Sequence, residues 1–262
     1  MKKVIILNML LLSVYLNLAQ QVKPFVVNTL GGSSSYSGGY STWSVGEPII
    51  GTFSGSNSSL SQGFLQTWPA LAREIVLRLY LQGLWNGAVM NKAQNGLGDA
   101  FEGEIADKVA IELHNGSNYS QLLYTNSEVT LLTTGWAIFT IPGTYSGSCY
   151  LTVKHRNSLY TTTALPITLS GSSVSYDFTD SANKAYGNNL VQLSEGVFGI
   201  YTGDVNQDGM VNAQDIEQIG AATTLFETGY LNADCNGDGV TDALDLIMAD
   251  NNAAAGVVGI VP

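Results

Sequence analysis

The sequence is poor in charged residues, and positively charged residues are missing from one end. Only 12% of the 262 residues are charged, and residues 203–262 contain ten Asp and Glu but no Lys or Arg. Nucleic-acid-binding proteins present a basic stripe or patch, which this chain lacks, so a nucleic-acid partner is not expected. The acidity is concentrated in one stretch, and this indicates cation binding there.

Histidine, on which much metal and acid–base chemistry depends, occurs only twice. Neither His114 nor His155 has metal-ligand spacing to another His or Cys, and no nucleophile elbow, P-loop or zinc motif is present. Glu102 and Glu104 could form the carboxylate pair of a glycosidase, but solvated loop charges explain them better. The sequence therefore predicts that the protein is not an enzyme.

The sequence also contains only two cysteines, Cys149 and Cys235. An oxidising compartment would allow a disulfide between them. Residues so far apart in sequence cannot be brought together by sequence reasoning alone. We expect two separate small residues, with Cys149 buried in a strand.

The first residues have the features of a secretory signal peptide. Lys2 and Lys3 precede an apolar run, which Asn8 and Asn17 interrupt and leave short for a membrane span. We expect cleavage after Ala19, so residues 1–19 would be removed; an uncleaved anchor is the alternative. No other segment is apolar enough to cross a membrane as a helix, which leaves the mature chain without a transmembrane span.

The composition, with 45% apolar residues and 29 glycines, favours a mostly β protein with many turns. Residues 20–70 are rich in Ser and Gly and predict a small β-meander. Residues 71–202 alternate in hydrophobicity, as in "EIVLRLYLQ" and "DKVAIELHN", and predict an antiparallel β-sandwich of the immunoglobulin-like kind. The stretch 83–104 is expected to be a long loop over the sandwich edge.

Two stretches in the acidic end repeat one pattern, "GDVNQDGMVNAQD" (203–215) and "ADCNGDGVTDALD" (233–245). Oxygen carriers at positions 1, 3, 5, 9 and 12, with glycine at 6 and a carbonyl at 7, surround a Ca²⁺ ion. The pattern predicts two Ca²⁺ sites, each followed by a helix, with Val211 and Thr241 pairing their backbones between the loops. The predicted ligands are Asp204, Asn206, Asp208, the Met210 carbonyl, Asn212 and Asp215 in the first loop, and Asp234, Asn236, Asp238, the Val240 carbonyl, Asp242 and Asp245 in the second.

"GDVNQDGMVNAQDI" and "ADCNGDGVTDALDL" resemble the paired calcium repeats of type I dockerins, so residues 203–262 are interpreted as a small α-helical, dockerin-like module. The resemblance implies calcium-dependent folding. It also implies binding to a cohesin on a scaffold, frequently in polysaccharide-degrading assemblies. The Ser/Thr recognition pairs common in dockerins are replaced by Ala213–Gln214 and Ala243–Leu244. This departure argues against a cohesin as the partner.

The whole layout resembles secreted cell-surface proteins of gliding Gram-negative bacteria that use type IX secretion. The segments that carry this resemblance are "SVGEPIIGTFSGSNSSLSQGFLQ", "VKHRNS" and "KAYGNN…GIYTGDVNQDG". It implies export to the cell surface, the outer membrane, the extracellular space or the periplasm. It also implies a protein partner on the envelope, such as a surface adhesin or a secretion-system component.

The sequence thus predicts a non-enzymatic envelope accessory protein. Its calcium module would either dock a protein partner or clamp against the sandwich, and the absence of a linker at "GIYTGDVNQDG" favours a rigid junction. The alternative is a true dockerin subunit that carries a carbohydrate-binding sandwich into a polysaccharide-degrading complex. In that case a glycan would be the second partner, and Trp85 is the best candidate for stacking on it.

Overall fold

The structure is a computed structural model that describes residues 72–262 and, before them, the strand segments 30–36, 39–45, 51–54 and 59–62. The chain divides into two compact units, Met1–Trp68 and Pro69–Pro262. The predicted signal peptide, residues 1–19, lies outside the described residues. The domain limits inferred from the sequence stay predictions.

The first unit contains two antiparallel hairpins. One joins β1 (Leu30–Tyr36) to β2 (Gly39–Val45), and the other joins β3 (Gly51–Ser54) to β4 (Ser59–Gln62). Residues of the Ser/Gly-rich stretch therefore lie within strands of the first hairpin. The two hairpins agree with the predicted β-meander.

The second unit contains twelve strands, two α-helices and two short 3-10 helices, Ala182–Lys184 and Tyr186–Asn188, among its described residues. The strands are β5 (Arg73–Arg78), β6 (Gln94–Asn95), β7 (Gly98–Asp99), β8 (Ile105–Asn115), β9 (Asn118–Leu132), β10 (Trp136–Ile141), β11 (Gly147–His155), β12 (Ser158–Thr162), β13 (Ile167–Leu169), β14 (Ser173–Asp177), β15 (Val191–Ser194) and β16 (Val197–Gly199). The α-helices are α1 (Ala213–Thr224) and α2 (Ala243–Ala254).

The main strands form two sheets. One has the order β10-β5-β14; the other has the order β12-β11-β8-β9, and β13 also pairs with β11. The strand pairs are antiparallel, as expected, except that β14 runs parallel to β5. The chain returns from the second sheet to the free edge of β5 and enters it in the same direction. This parallel pair was not expected from the sequence.

Both sheets contribute to one hydrophobic core. Ile75 and Leu77 on β5, Ile111 and Leu113 on β8, and Leu151 on β11 are all fully buried in the same cluster. Their two-residue spacing places them on one face of each strand. Burying one such side chain contributes roughly 1.5–3 kcal/mol. The mostly β sandwich predicted from this alternation is confirmed.

The two cysteines are separate, as expected. Cys149 lies in β11 and Cys235 in the second acidic loop, and both are buried and free. Burial raises the pKa of the Cys149 thiol to about 11 and that of the Cys235 thiol to about 12. Both thiols therefore stay protonated and serve as small core residues.

The two α-helices begin at the acidic loops, as the repeated pattern predicts. Each starts with a capping box, formed by Asn212 with Asp215 and by Asp242 with Asp245. None of the helices in the described part of the chain is long and apolar enough to cross a membrane.

Candidate metal centre and its junction with the sandwich

Asp204 opens the first loop as a buried carboxylate, and its two oxygens have different surroundings. Its Oδ2 accepts a hydrogen bond from the Gly209 amide at 3.1 Å. Its Oδ1 is buried and has no hydrogen-bond partner among the described residues. Such an atom normally needs a partner. A cation at the centre of the loop would supply one.

Asn206 and Asp208 fold the first loop tightly around that position. Asn206 Oδ1 accepts from the Asp208 amide at 2.8 Å, and Asp208 Oδ1 accepts from the Met210 amide at 2.9 Å. These side-chain-to-backbone turns bring alternate oxygen carriers to the same side of the loop. Gly209 has φ of +87°, and a Cβ there would lie 2.6 Å from the Tyr160 ring. Glycine at position 6 therefore satisfies both the turn and the contact with the sandwich.

Asp215 closes the first loop from the first turn of α1. Its Oδ1 accepts from the amides of Val205 and Asn206 at 2.9 and 3.2 Å, and its Oδ2 accepts from the Asn212 amide at 3.0 Å. Asp215 is completely buried. The carboxylate thus joins both ends of the loop to the start of the helix.

The second loop repeats these bonds almost position by position. Asp238 and Asn236 make the same turns as their counterparts, and Asp245 accepts from the Asn236 amide at 3.0 Å and the Asp242 amide at 2.9 Å. The difference lies at Asp234, whose two oxygens accept from the Gly237 and Gly239 amides at 2.8 and 3.0 Å. The two loops therefore have the same pattern of backbone hydrogen bonds, but the carboxylate at position 1 has one amide partner in the first loop and two in the second.

Burial raises the pKa values of three carboxyl groups in the two loops. The pKa of Asp204 rises to about 6, and the negative charge of Asp215 adds to the effect of burial. The pKa of Asp234 also rises to about 6 through burial, although Arg156 opposes the rise. Burial likewise raises the pKa of Asp245. Without a cation the charged forms are disfavoured, so a bound divalent ion would stabilise them.

Each loop offers several chemical types of oxygen ligand to a metal ion. Among the described residues, no group of three or more His, Cys, Asp or Glu side chains forms a ready-made metal site. Each loop instead combines carboxylates with asparagine side chains and backbone carbonyls, which are the oxygens that Ca²⁺ accepts. The buried oxygen of Asp204 and the raised pKa values fit such a hard cation. The twelve-residue ligand set stays a prediction.

The backbone pairing of the loops differs from the expectation. Val211 donates to the Val257 carbonyl at 3.0 Å, and Thr241 donates to the Glu227 carbonyl at 2.9 Å. The predicted pairing of Val211 with Thr241 is therefore wrong. Each loop pairs instead with the segment that leaves the helix of the other repeat, because the chain crosses between the repeats after each helix.

A buried polar network attaches the second loop to the sandwich. Asp107 on β8 is fully buried, and it accepts hydrogen bonds from His155 Nε2 at 3.0 Å, from Arg156 Nε at 3.4 Å and from the Tyr230 hydroxyl. The Arg156 guanidinium also lies 4.5 Å from the centre of the Tyr230 ring. Burial alone would raise the pKa of Asp107, but His155 and Arg156 lower it to about 2.

The same network reaches the first predicted ligand of the second loop. Arg156 Nη1 donates to the backbone carbonyl of Asp234 at 2.9 Å, and Asn157 Nδ2 donates to the same oxygen at 2.7 Å. The long stretch 83–104 contacts this loop as well, since Gln94 donates its amide to the Gly237 carbonyl at 2.8 Å. The stretch expected to be a loop over the sandwich edge therefore supports the second calcium loop.

Further contacts leave no free linker between the sandwich and residues 203–262. Asn252 on α2 donates to Gln82 Oε1 and to the Thr202 carbonyl, both at 2.7 Å. Leu159 of β12 belongs to the hydrophobic cluster that also contains Val211 and Ile219 of the module. The small module thus completes its own core with a residue of the sandwich.

The other residues considered as catalytic candidates, His114, Glu102 and Glu104, either contact neighbouring side chains or are exposed to solvent. His114 is hydrogen-bonded to the Tyr119 carbonyl and to Glu112, and its ring stacks on that of Tyr119 at 4.2 Å. Glu102 and Glu104 are both exposed. The role of Asp107 was missed, although its position offered a signal, because in the alternation of β8 it falls on the apolar face.

Comparison with known proteins identifies the acidic end. Residues 202–253 match the family model described as "Dockerin type I domain". No curated protein matches the chain. The chain therefore carries a dockerin-like module, a class of domain that is not catalytic, that typically binds calcium and cohesin-like protein partners, and that is typically extracellular or on the cell surface.

Three solved structures are similar at low scores. Two are interface mutants of a type II cohesin–X–dockerin complex from Acetivibrio cellulolyticus, each 13% identical and covering 71% of this chain and 97% of theirs, with TM-scores of 0.41 and 0.39. The third, titled S.CueP, is 9% identical and covers 48% of this chain and 71% of its own, with a TM-score of 0.23.

Proposed function

We propose that the protein is a non-enzymatic, exported accessory protein of the cell envelope whose dockerin-like module folds around two Ca²⁺ ions. The ordered module then docks a protein partner while it stays clamped to the sandwich. The partner would be a protein of the envelope, such as a surface adhesin or a secretion-system component, and the N-terminal sequence supports the export that this requires.

The single observation that carries the proposal is the pair of buried carboxylates in each loop. Asp204, Asp215, Asp234 and Asp245 are at most 1% exposed. Residues 203–262 contain no Lys or Arg, so the module itself offers no positive charge against them. Because burial disfavours the charged forms of Asp204, Asp234 and Asp245, a bound Ca²⁺ would stabilise the folded loops, and this couples calcium binding to folding of the module.

The exposed apolar side chains of the module support a docking role. In residues 72–262, fifteen large apolar side chains are exposed, and nine of these belong to residues 203–262. Phe226 is 82% exposed at the end of α1, while Leu244 and Ile247 are more than half exposed on α2. Apolar surface concentrated in so small a region is typical of protein interaction sites.

The histidines support a non-enzymatic role. His155 is buried among Asp107 and Ser158, with hydrogen bonds of 3.0 and 2.9 Å, and His114 is held between Glu112 and Tyr119. Asp107, His155 and Ser158 form a hydrogen-bonded chain like that of a catalytic triad, but His155 is only 5% and Ser158 only 1% exposed, so the hydroxyl is not open to a substrate.

The calcium sites are tested by thermal melting of residues 20–262 in calcium and in chelator. Calcium at about a hundred times its dissociation constant should stabilise the native state by about 2.7 kcal/mol per site. The double variant Asp204→Ala, Asp234→Ala should show no calcium-dependent rise in melting temperature. Asp250→Ala, which removes an exposed carboxylate of α2 outside both loops, should respond like wild type. A double variant that still responds would refute the site assignment.

The docking role is tested by capture from envelope extract in calcium and in chelator. We expect one partner that is lost in chelator and lost with Leu244→Lys combined with Ile247→Lys. The control is Leu165→Lys, which changes a residue of the sandwich that is 73% exposed. A partner retained in chelator would place the docking surface outside the module and contradict the proposal.

A further inference from the structure

A cavity at the edge of the sandwich lies outside the calcium module. Its volume is about 380 Å³. It is enclosed by the turn at 86–89, the turn at 177–180 and the β15–β16 hairpin turn. None of its lining residues belongs to residues 203–262. Its size falls within the roughly 300–1,000 Å³ of small-molecule sites.

The two aromatic rings in this cavity lie against each other, and one of them carries an unused donor. The rings of Tyr80 and Trp85 are 4.6 Å apart between their centres. Trp85 Nε1 is buried and has no hydrogen-bond partner within the described part of the chain. A buried indole N–H usually finds an acceptor, so its lack of one here calls for an explanation.

A second unused donor belongs to Arg78, which lines the same cavity. Its Nη2 donates to the Tyr80 hydroxyl at 3.2 Å, and its Nη1 lies 3.8 Å from Asp177 Oδ2. Its Nε, however, is buried without a partner among the described residues. Two neighbouring side chains therefore each present a donor for which residues 72–262 supply no acceptor.

The charges around the cavity favour a neutral ligand. Arg78 contributes a positive charge, while Asp177 and Asp180 contribute negative charges, so an anion or a cation would meet repulsion on one side. Asp177 Oδ1 already accepts from the Thr179 amide and hydroxyl, both at 2.7 Å. Asp180 is exposed, and its Oδ2 lies 3.5 Å from Lys184 Nζ, which leaves Oδ1 to accept from a ligand hydroxyl.

We propose that this cavity, lined by Tyr80, Trp85, Arg78, Asp177 and Asp180, binds a neutral saccharide unit. A sugar ring combines apolar C–H faces, which suit aromatic side chains, with hydroxyl groups that both accept and donate hydrogen bonds. The hydroxyl oxygens would accept hydrogen bonds from Trp85 Nε1 and Arg78 Nε. Another hydroxyl group would donate a hydrogen bond to the Asp180 carboxylate. The site is separate from the calcium loops and goes beyond the proposed docking function.

The test is calorimetric titration of residues 20–262, in calcium, with glucose, galactose, mannose and xylose and with cello-, xylo- and manno-oligosaccharides. We expect at least one of these sugars to bind. Trp85→Phe keeps an aromatic ring but removes the N–H, and it should weaken binding roughly tenfold, because one hydrogen bond to the ligand is lost. Asp180→Asn alters an exposed acceptor and should also weaken binding, with little risk to folding.

Two controls separate this proposal from the docking function. Phe226→Ala removes an exposed aromatic ring outside the cavity and should leave sugar binding unchanged. Asp204→Ala disturbs the first calcium loop and should also leave it unchanged, so either proposal can fail alone. If no sugar in the panel binds, or if Trp85→Phe and Asp180→Asn bind as wild type does, the proposal is overturned and ordered water would satisfy the two donors.

Discussion

The two calcium loops have nearly the same backbone hydrogen bonds but are supported in different ways. The second loop contacts Arg156 and Asn157 of the sandwich, and both oxygens of Asp234 accept from backbone amides. In the first loop Asp204 Oδ1 has no partner among the described residues, and the charges of Asp215 and Asp208 add to burial in raising the pKa of Asp204. The first carboxylate of the second loop is therefore held by protein groups on both oxygens, whereas that of the first loop has one oxygen that only a bound ion would satisfy.

This difference implies that calcium removal affects the loops unequally. Both loops would keep hydrogen bonds to the sandwich, since Gly203 donates its amide to the Asn157 carbonyl at 2.7 Å, but only the second would keep a cationic side chain, Arg156, beside its first carboxylate. The exposed loops and helix ends of the module are then expected to open locally before the sandwich does.

The largest expected effect comes from breaking the support of the second loop with Arg156→Met. The change leaves Asp107 buried with one cationic partner fewer, so the free energy of unfolding should fall by about 3–5 kcal/mol. Calcium affinity should fall mainly at the second loop, because the hydrogen bond to the Asp234 carbonyl is lost. Urea unfolding and calorimetric calcium titration measure the two effects.

Lys154→Met is the matched control, since Lys154 lies two residues away on β11 and pairs with Glu112 near the surface. It should change the free energy of unfolding by less than about 1 kcal/mol. Equal losses of calcium affinity at both loops in Arg156→Met would contradict the proposed difference between them.

A smaller loss of stability is expected on acidification, through Asp107 of the network that attaches the second loop to the sandwich. The pKa of Asp107 is lowered to about 2 in the folded protein, from an ordinary value of 3.8. A lowered carboxyl pKa contributes stability above the ordinary value, and this stability is lost as pH falls towards the folded value. A shift of this size corresponds to about 2 kcal/mol.

Urea unfolding of wild type and Asp107→Asn between about pH 5 and about pH 2 measures this contribution. The difference in stability between the two proteins should shrink as the pH falls, because wild type alone loses the contribution of the Asp107 charge. A difference that stays constant over this range would show that the Asp107 carboxylate does not carry it.

The loops could be predicted from sequence because their ligands are local. Positions 1 to 12 follow one another within a single turn-and-helix unit, so the spacing of Asp204, Gly209 and Asp215 was enough to identify the motif. The alternation of β5 and β8 identified the sandwich in the same way. Local periodicity therefore predicted the fold class and the candidate metal loops.

The junction could not be predicted because its partners are distant in sequence. Tyr230 and Asp107 are 123 positions apart, and Arg156 reaches Asp234 across 78 positions. Only tertiary packing brings them together. The backbone pairing of Val211 was predicted wrongly for the same reason, since its partner Val257 leaves the helix of the other repeat.

The smallest expected effect distinguishes the loops at position 4, where the first has Gln207 with φ of +61° and the second has Gly237 with φ of +74°. A residue with a Cβ is disfavoured in this left-handed region, so Gln207→Gly should relieve strain of roughly 1 kcal/mol. Part of this gain is offset because Gln207 Nε2 donates to the Asp204 carbonyl. We expect a net increase in the free energy of unfolding of a few tenths of a kcal/mol to about 1 kcal/mol.

Gly237→Ala is the reciprocal change. Its new Cβ would lie 2.3 Å from Leu84 Cδ2 and would take the same unfavourable φ, so it should destabilise the protein by about 1–3 kcal/mol. Urea unfolding of both variants, each in calcium and in chelator, compares the loops directly. If the first loop depends more on the ion, chelator should reduce the effect of Gln207→Gly, because a loosened loop no longer imposes the strained φ, and should leave that of Gly237→Ala nearly unchanged. The opposite pattern would mean that the second loop is the one organised by calcium.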